Sequence, residues 1–110
     1  MKQLKNKIKG TIASPGKVSG KVWKITNPIK PVNSRAGYII VAPFTTPVIA
    51  VAVSEAKAIV CEKGGVTSHA AIIARELGIP CLVGVKNALS IFSNNQKVVV
   101  DANKGEIYAA

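Results

Sequence analysis

Carboxylates are scarce in this sequence. Five Asp and Glu stand against fifteen Lys and Arg, and none of the five lies in residues 1–54. That first half carries eight Lys and one Arg, a net +9, whereas residues 55–110 carry a net +1. So few acids, none obviously paired, argue against a magnesium centre. Aromatic residues are equally thin: one Trp, two Tyr and two Phe, scattered along the chain. A single-strand nucleic-acid binder relies on ring platforms, so the +10 net charge fits a solvated lysine-rich surface, an acidic partner or a phosphorylated ligand better than nucleic acid. The two cysteines, Cys61 and Cys81, fit neither a zinc pattern nor a CxxC motif, and both sit in apolar runs that suit buried free thiols. No apolar run is long enough to span a bilayer. The basic start MKQLKNKIKG is not followed by an apolar stretch and cleavage site. A cytoplasmic protein without membrane contact is the expectation. No phosphate-cradling glycine loop of the Walker type occurs, and 110 residues leave no room for a (β/α)8 barrel.

What remains is a chain with 48% hydrophobic residues, enough for one compact domain over residues 1–110, with residues 1–9 as a flexible basic N-terminus. Ser14-Pro15-Gly16 marks a turn. Lys17–Thr26 alternates roughly as a strand, with Gly20 signalling a bulge or a close backbone approach. Residues 27–37, with two prolines, an Asn and a Gly, read as a loop. Tyr38–Ala42 reads as a buried strand. Thr46 before Pro47 predicts an N-cap and a helix running to about Glu55, against the β-branched character of Val48, Ile49, Val51 and Val53. Ala58–Cys61 and Cys81–Val85 read as strands, and Lys97–Asp101 with Glu106–Ala109 as a hairpin. The clearest helix is His69–Leu77, with Ala70, Ile73, Ala74 and Leu77 on one stripe, Gly78 as C-cap and Pro80 beyond it. The expected fold class is α/β, with small packed sheets and a few helices.

The stretch Gly64–Pro80, GGVTSHAAIIARELGIP, contains the single histidine. Thr67 or Ser68 is a natural N-cap, which puts His69 in the first helical turn. Backbone N–H groups there lack helical partners, and the helix dipole adds positive potential, so such a site suits an anion. Gly64 and Gly65 give the preceding loop freedom to turn. A neutral imidazole nitrogen has a lone pair and can act as a nucleophile. The pattern therefore suits a histidine that accepts a phosphoryl group, although a capping or purely structural histidine fits the same pattern. One His and two distant Cys do not make a metal site. Ser68 and His69 are neighbours in sequence and would not face each other as a catalytic pair on a helix.

Gly64–Pro80 resembles the phosphohistidine motif of the PEP-utilising enzymes, the family of phosphoenolpyruvate synthase, pyruvate phosphate dikinase, Enzyme I and the rifampin phosphotransferases. Ser14-Pro15-Gly16 with Gly20, the Thr45-Thr46-Pro47 turn after Tyr38–Ala42, and the closing segments Val98–Asp101 and Gly105–Tyr108 extend the resemblance over residues 10–109. It implies a swivelling β/β/α domain in which His69 is phosphorylated, at Nε2. Thr67, Ser68, Gly64 and Gly65 would orient or cradle the phosphate. It implies that Thr67 is a regulatory phosphorylation site in some branches, and that Arg75 and Glu76 serve packing and surface pairing. It also implies a carrier rather than a complete enzyme. No cofactor or metal would be bound by this domain, and magnesium with ATP or PEP would act at a nucleotide-binding or PEP/pyruvate-binding partner. A non-catalytic binding or regulatory module on the same fold is the alternative.

Overall fold

A computed structural model describes residues 7–26 and 36–110. The strands are β1 (Ile8–Lys9), β2 (Thr11–Ser14), β3 (Lys17–Lys24), β4 (Tyr38–Ala42), β5 (Ala58–Cys61), β6 (Cys81–Val83), β7 (Lys97–Asp101) and β8 (Glu106–Ala109). A 3-10 turn, Pro47–Ile49, leads into α1 (Ala50–Ser54), and α2 (His69–Leu77) and α3 (Ala88–Ile91) complete the set. The α/β class and the paucity of helix match the sequence reading. All eight strands join in one hydrogen-bonded order, β1-β8-β7-β3-β4-β5-β6-β2.

The two ends of that order, β1 and β2, are separated in sequence by Gly10 alone. The sheet must therefore curl until its edges meet, which removes the exposed edges an open sheet would present. Gly10 sits in this seam. Its N–H donates to the Gly105 carbonyl at 3.0 Å, and a Cβ there would stand 2.5 Å from Val85 Cγ2. The N-terminus expected to be flexible over 1–9 is thus tied into the sheet at Ile8 and Lys9, which pair with Ile107 and Glu106. Its remaining part, residues 1–6, lies outside the described residues, as does 27–35 of the expected loop. Opposite β2 the ladder slips between Ile12 and Ser14. The irregularity anticipated at Gly20 is not a bulge, since β3 and β7 stay in register through Gly20↔Val98. It is a close approach, with the Gly37 carbonyl oxygen and Lys57 Cδ each 3.3 Å from where a Cβ would be.

Period-two alternation sorts the strand residues into two cores. Ile39, Val41, Ala58, Val60 and Leu82 face one way, with Val22, Val98, Val100 and Ile107, and Ala88 and Phe92 join them from around α3. Ile40, Ala42, Ile59, Cys61, Cys81 and Val83 face the other way, beneath α1 and α2. Both thiols are free and buried. Burial pushes Cys81 up to about 12, offset slightly by Arg75, and raises Cys61 further, with Cys81 adding to it. Neither ionises near neutral pH, so neither is a nucleophile.

The Thr46–Pro47 start is realised as a tight turn: Thr46 Oγ1 accepts from Val48 N–H at 3.3 Å, and α-geometry begins only at Ala50. Helix α2 ends as expected. Gly78 has φ 72°, and Ile79 N–H donates to the Ala74 carbonyl, Gly78 N–H to that of Arg75, the Schellman pattern. Its buried face is Ala70, Ala71 and Ala74, rotated from the predicted stripe. The small alanines let the helix lie close on β2, β5 and β6, which leaves Leu77 exposed at its end. Strand β6 stops at Val83, where Gly84 takes φ 66°. Helix α3 was not legible in the sequence. It follows Asn87 at φ 61°, one of the few non-glycine residues that tolerate the left-handed region.

Candidate functional site

Strands β4 and β5 are parallel neighbours, so their carboxyl ends lie side by side. This is where open α/β sheets place ligands. The chain leaves β4 through Pro43-Phe44-Thr45, and leaves β5 through the glycine loop to α2. That geometry brings Thr45 to the imidazole: Thr45 Oγ1 lies 2.8 Å from His69 Nδ1. Thr45 is 8% exposed, so this bond is shielded from solvent. His69 itself is half-buried. With Nδ1 engaged, Nε2 is the nitrogen left for chemistry. When Nδ1–H donates to the hydroxyl, the Nε2 lone pair is free.

The loop before the helix is built for this placement. Ser68 is the N-cap, with its side chain accepting from Ala71 N–H at 3.4 Å. Its own N–H donates to the Gly65 carbonyl at 3.1 Å. Of the two cap candidates the structure selects Ser68, and Thr67 is exposed. Gly64 has φ 107°, and a Cβ there would lie 3.1 Å from Ser68 Cβ and 3.2 Å from its Oγ. The cap thus needs glycine at 64. Gly65 is different: a Cβ would meet nothing within 4 Å, so sterics do not demand glycine there.

Arg75 anchors the loop from behind. Its Nε donates to the Ala13 carbonyl at 2.9 Å, and its Nη2 donates to the Val66 carbonyl. Both of these bonds go to backbone carbonyls. Glu76 is exposed on α2. The sequence reading treated Thr45 only as part of a turn. Nothing local reveals that it meets His69, because the contact depends on the parallel pairing of β4 and β5.

The segments that meet at this bond carry exposed apolar residues: Phe44, Val48, Val51, Val66 and Ile72. Neither residues 36–54 nor residues 64–74 include a charge. Glu62, directly after β5, accepts from Leu89 N–H at 2.9 Å, and two further carboxylates lie on the hairpin. The hairpin register places Asp101 opposite Glu106, a pairing not evident from sequence. Lys9 Nζ stands 2.6 Å from Glu106 Oε2, Lys7 Nζ 3.7 Å from its Oε1, and Lys17 Nζ 4.0 Å from Asp101 Oδ2. The hydrogen bond from Lys9 holds the Glu106 carboxyl below its ordinary range. Among the described residues no group of three or more His, Cys, Asp and Glu could hold a metal ion, and no helix is long and apolar enough to cross a membrane.

Comparison with known proteins places the chain in a family. The family profile "PEP-utilising enzyme, mobile domain" matches residues 34–105. A probable phosphoenolpyruvate synthase of Methanothermobacter thermautotrophicus is 46% identical over 102 residues, which are 92% of this chain and 15% of that protein. The chain thus spans less than a sixth of that relative's length. The solution structure of an Enzyme I protein superposes with a TM-score of 0.60 at 31% identity, over 68% of this chain and 31% of that one. Aconitase X of Thermococcus kodakaraensis, at 24% identity, gives a TM-score of 0.73 over 96% of this chain and 98% of that one, a likeness of fold alone. With the profile spanning the glycine loop, α2 and β7, this chain belongs to the PEP-utilising enzyme mobile-domain family.

Proposed function

We propose that this domain is a phosphoryl carrier, loaded on His69 Nε2 and unloaded at a second site. The observation that carries this reading is the 2.8 Å bond from Thr45 Oγ1 to His69 Nδ1 at the start of α2. It fixes the ring and leaves Nε2 as the reactive nitrogen. In the loading step the Nε2 lone pair attacks the donor phosphorus, an N–P bond forms, and the P–O bond to the leaving group breaks with its electrons departing on the donor oxygen. Unloading reverses this with an acceptor oxygen. Such transfers depend on positioning and charge stabilisation. Here the α2 N-terminus offers positive potential to the phosphorylated ring. Ser68 keeps the helix start formed, and Gly64 permits the cap. On this reading Thr67, exposed beside this turn, would be a regulatory phosphorylation site, whose phosphate would set a second negative group near the one on His69.

Magnesium with ATP or PEP would be supplied by a nucleotide-binding or a PEP/pyruvate-binding partner. The apolar rim of Phe44, Val48, Val51, Val66 and Ile72 suits closure of such a site over the phosphohistidine, since water exclusion strengthens the electrostatics within. Incubating the domain with labelled ATP or labelled PEP in a lysate that supplies the partner, beside His69→Ala, tests the reading. The carrier reading predicts acid-labile, alkali-stable label on the wild type and none on the folded variant. No label from either donor would favour a binding or regulatory module instead.

A further inference from the structure

We propose that the end of the sheet remote from His69, carrying Lys21, Lys57 and Lys97, docks an acidic polypeptide surface. In the β3–β7 ladder Lys21 stands directly opposite Lys97. Like charges facing each other across an antiparallel pair are unfavourable, and both side chains are exposed, so core packing does not call for them. Lys57 lies across Gly20 and donates to the Ser19 carbonyl at 2.6 Å, which brings a third ammonium to the same end.

The other lysines on the face shared by Lys21 and Lys97 are used differently. Lys7 and Lys9 neutralise Glu106, and Lys17 faces Asp101. No ion pair among the described residues involves Lys21 or Lys97. The charge left over on this surface is positive, and its complement is a surface rich in Asp and Glu. Few rings are available nearby for a single strand of nucleic acid to stack on: Trp23 and Tyr38 meet edge to face at 6.0 Å, and Lys7 covers one face of Tyr108 at 5.2 Å. That favours a protein partner over nucleic acid. Lys21 pairs with Tyr38 at the start of β4, and Lys57 immediately precedes β5, whereas His69 follows the other ends of these strands. A partner held here leaves the imidazole open, so the proposal stands whether or not His69 carries phosphate.

The test is titration of the full chain with a fluorescent glutamate-rich peptide at low salt, with backbone NMR shifts locating the contact. The expected shifts centre on residues 19–21, 57 and 97–99. Lys21→Glu with Lys97→Glu should weaken binding by roughly tenfold or more, and the Gln pair by less. Lys63→Glu with Lys86→Glu, the same charge change elsewhere, should leave affinity within about twofold. Equal losses from the two Glu pairs, or shifts spread over every lysine, would overturn the proposal. So would tighter binding, at this face, of a DNA duplex of equal charge or of inorganic phosphate.

Discussion

The two ends of strands β4 and β5 differ in almost every surface property. At the carboxyl ends sit His69, its Thr45 partner and exposed apolar residues such as Val51, 58% exposed, with Glu62 and Lys63 directly after β5. At the amino ends sit Lys21, Lys57 and Lys97, of which Lys21 and Lys97 directly face each other across β3 and β7. Burial drives neither arrangement, since both features are at the surface. The apolar residues at the first end suit a contact in which water is expelled around a reacting group. The basic end suits attraction at longer range, which salt weakens. The same sheet thus separates the site of chemistry from the charge that attracts a partner.

Several substitutions separate the two ends. Thr45→Val removes the partner of Nδ1 and should slow phosphate incorporation by about tenfold to hundredfold, with Thr45→Ser restoring most of the rate. An unchanged rate would show that the hydroxyl does not position the ring. Gly64→Ala should destabilise the domain by more than about 1 kcal/mol, because a Cβ at φ 107° crowds Ser68. Gly65→Ala, with open space around it, should cost less than that, and thermal melts would separate the pair. Ser68→Ala should lower stability by about 1 kcal/mol through the lost cap. At the basic end, Lys97→Glu should raise stability by up to about 1 kcal/mol by turning a repulsive cross-strand pair into an attractive one, and it should leave labelling of His69 unchanged. A large labelling defect would break the separation of the two ends.

The smallest effect is acid-dependent. Lys9 holds the Glu106 carboxyl below its ordinary value of 4.5. That contribution to stability is fully present above about pH 4.5 and is lost as pH falls through the lowered native value. Chemical unfolding of Lys9→Ala and wild type should differ by a constant amount at neutral pH, and the two should converge in acid.

Sequence periodicity made β4, β5, the closing hairpin and α2 legible because each buries a regular face or carries caps at its ends. Gly78 and the free thiols followed from local chemistry, which narrowed the α2 cap to Thr67 or Ser68. The contact between Thr45 and His69 did not, nor did the closure of the sheet at Gly10. Each depends on which strands become neighbours, and a two-residue strand such as β1 has no periodicity to read. Leu77 failed for a related reason. Its spacing fits the apolar stripe, but the alanines at 70, 71 and 74 set the angle at which α2 lies on the sheet. The facing pair Asp101 and Glu106 is likewise a product of hairpin register.

The central claim is that His69 carries the phosphoryl group on Nε2 while Thr45 holds Nδ1. Long-range proton–nitrogen NMR of the 15N-labelled, phosphorylated domain reads both ring nitrogens of the single histidine directly. The account predicts coupling to phosphorus at Nε2 and a hydrogen-bonded Nδ1. Phosphorus on Nδ1, or label that resists acid and resides on Thr67 with His69 unmodified, would contradict it.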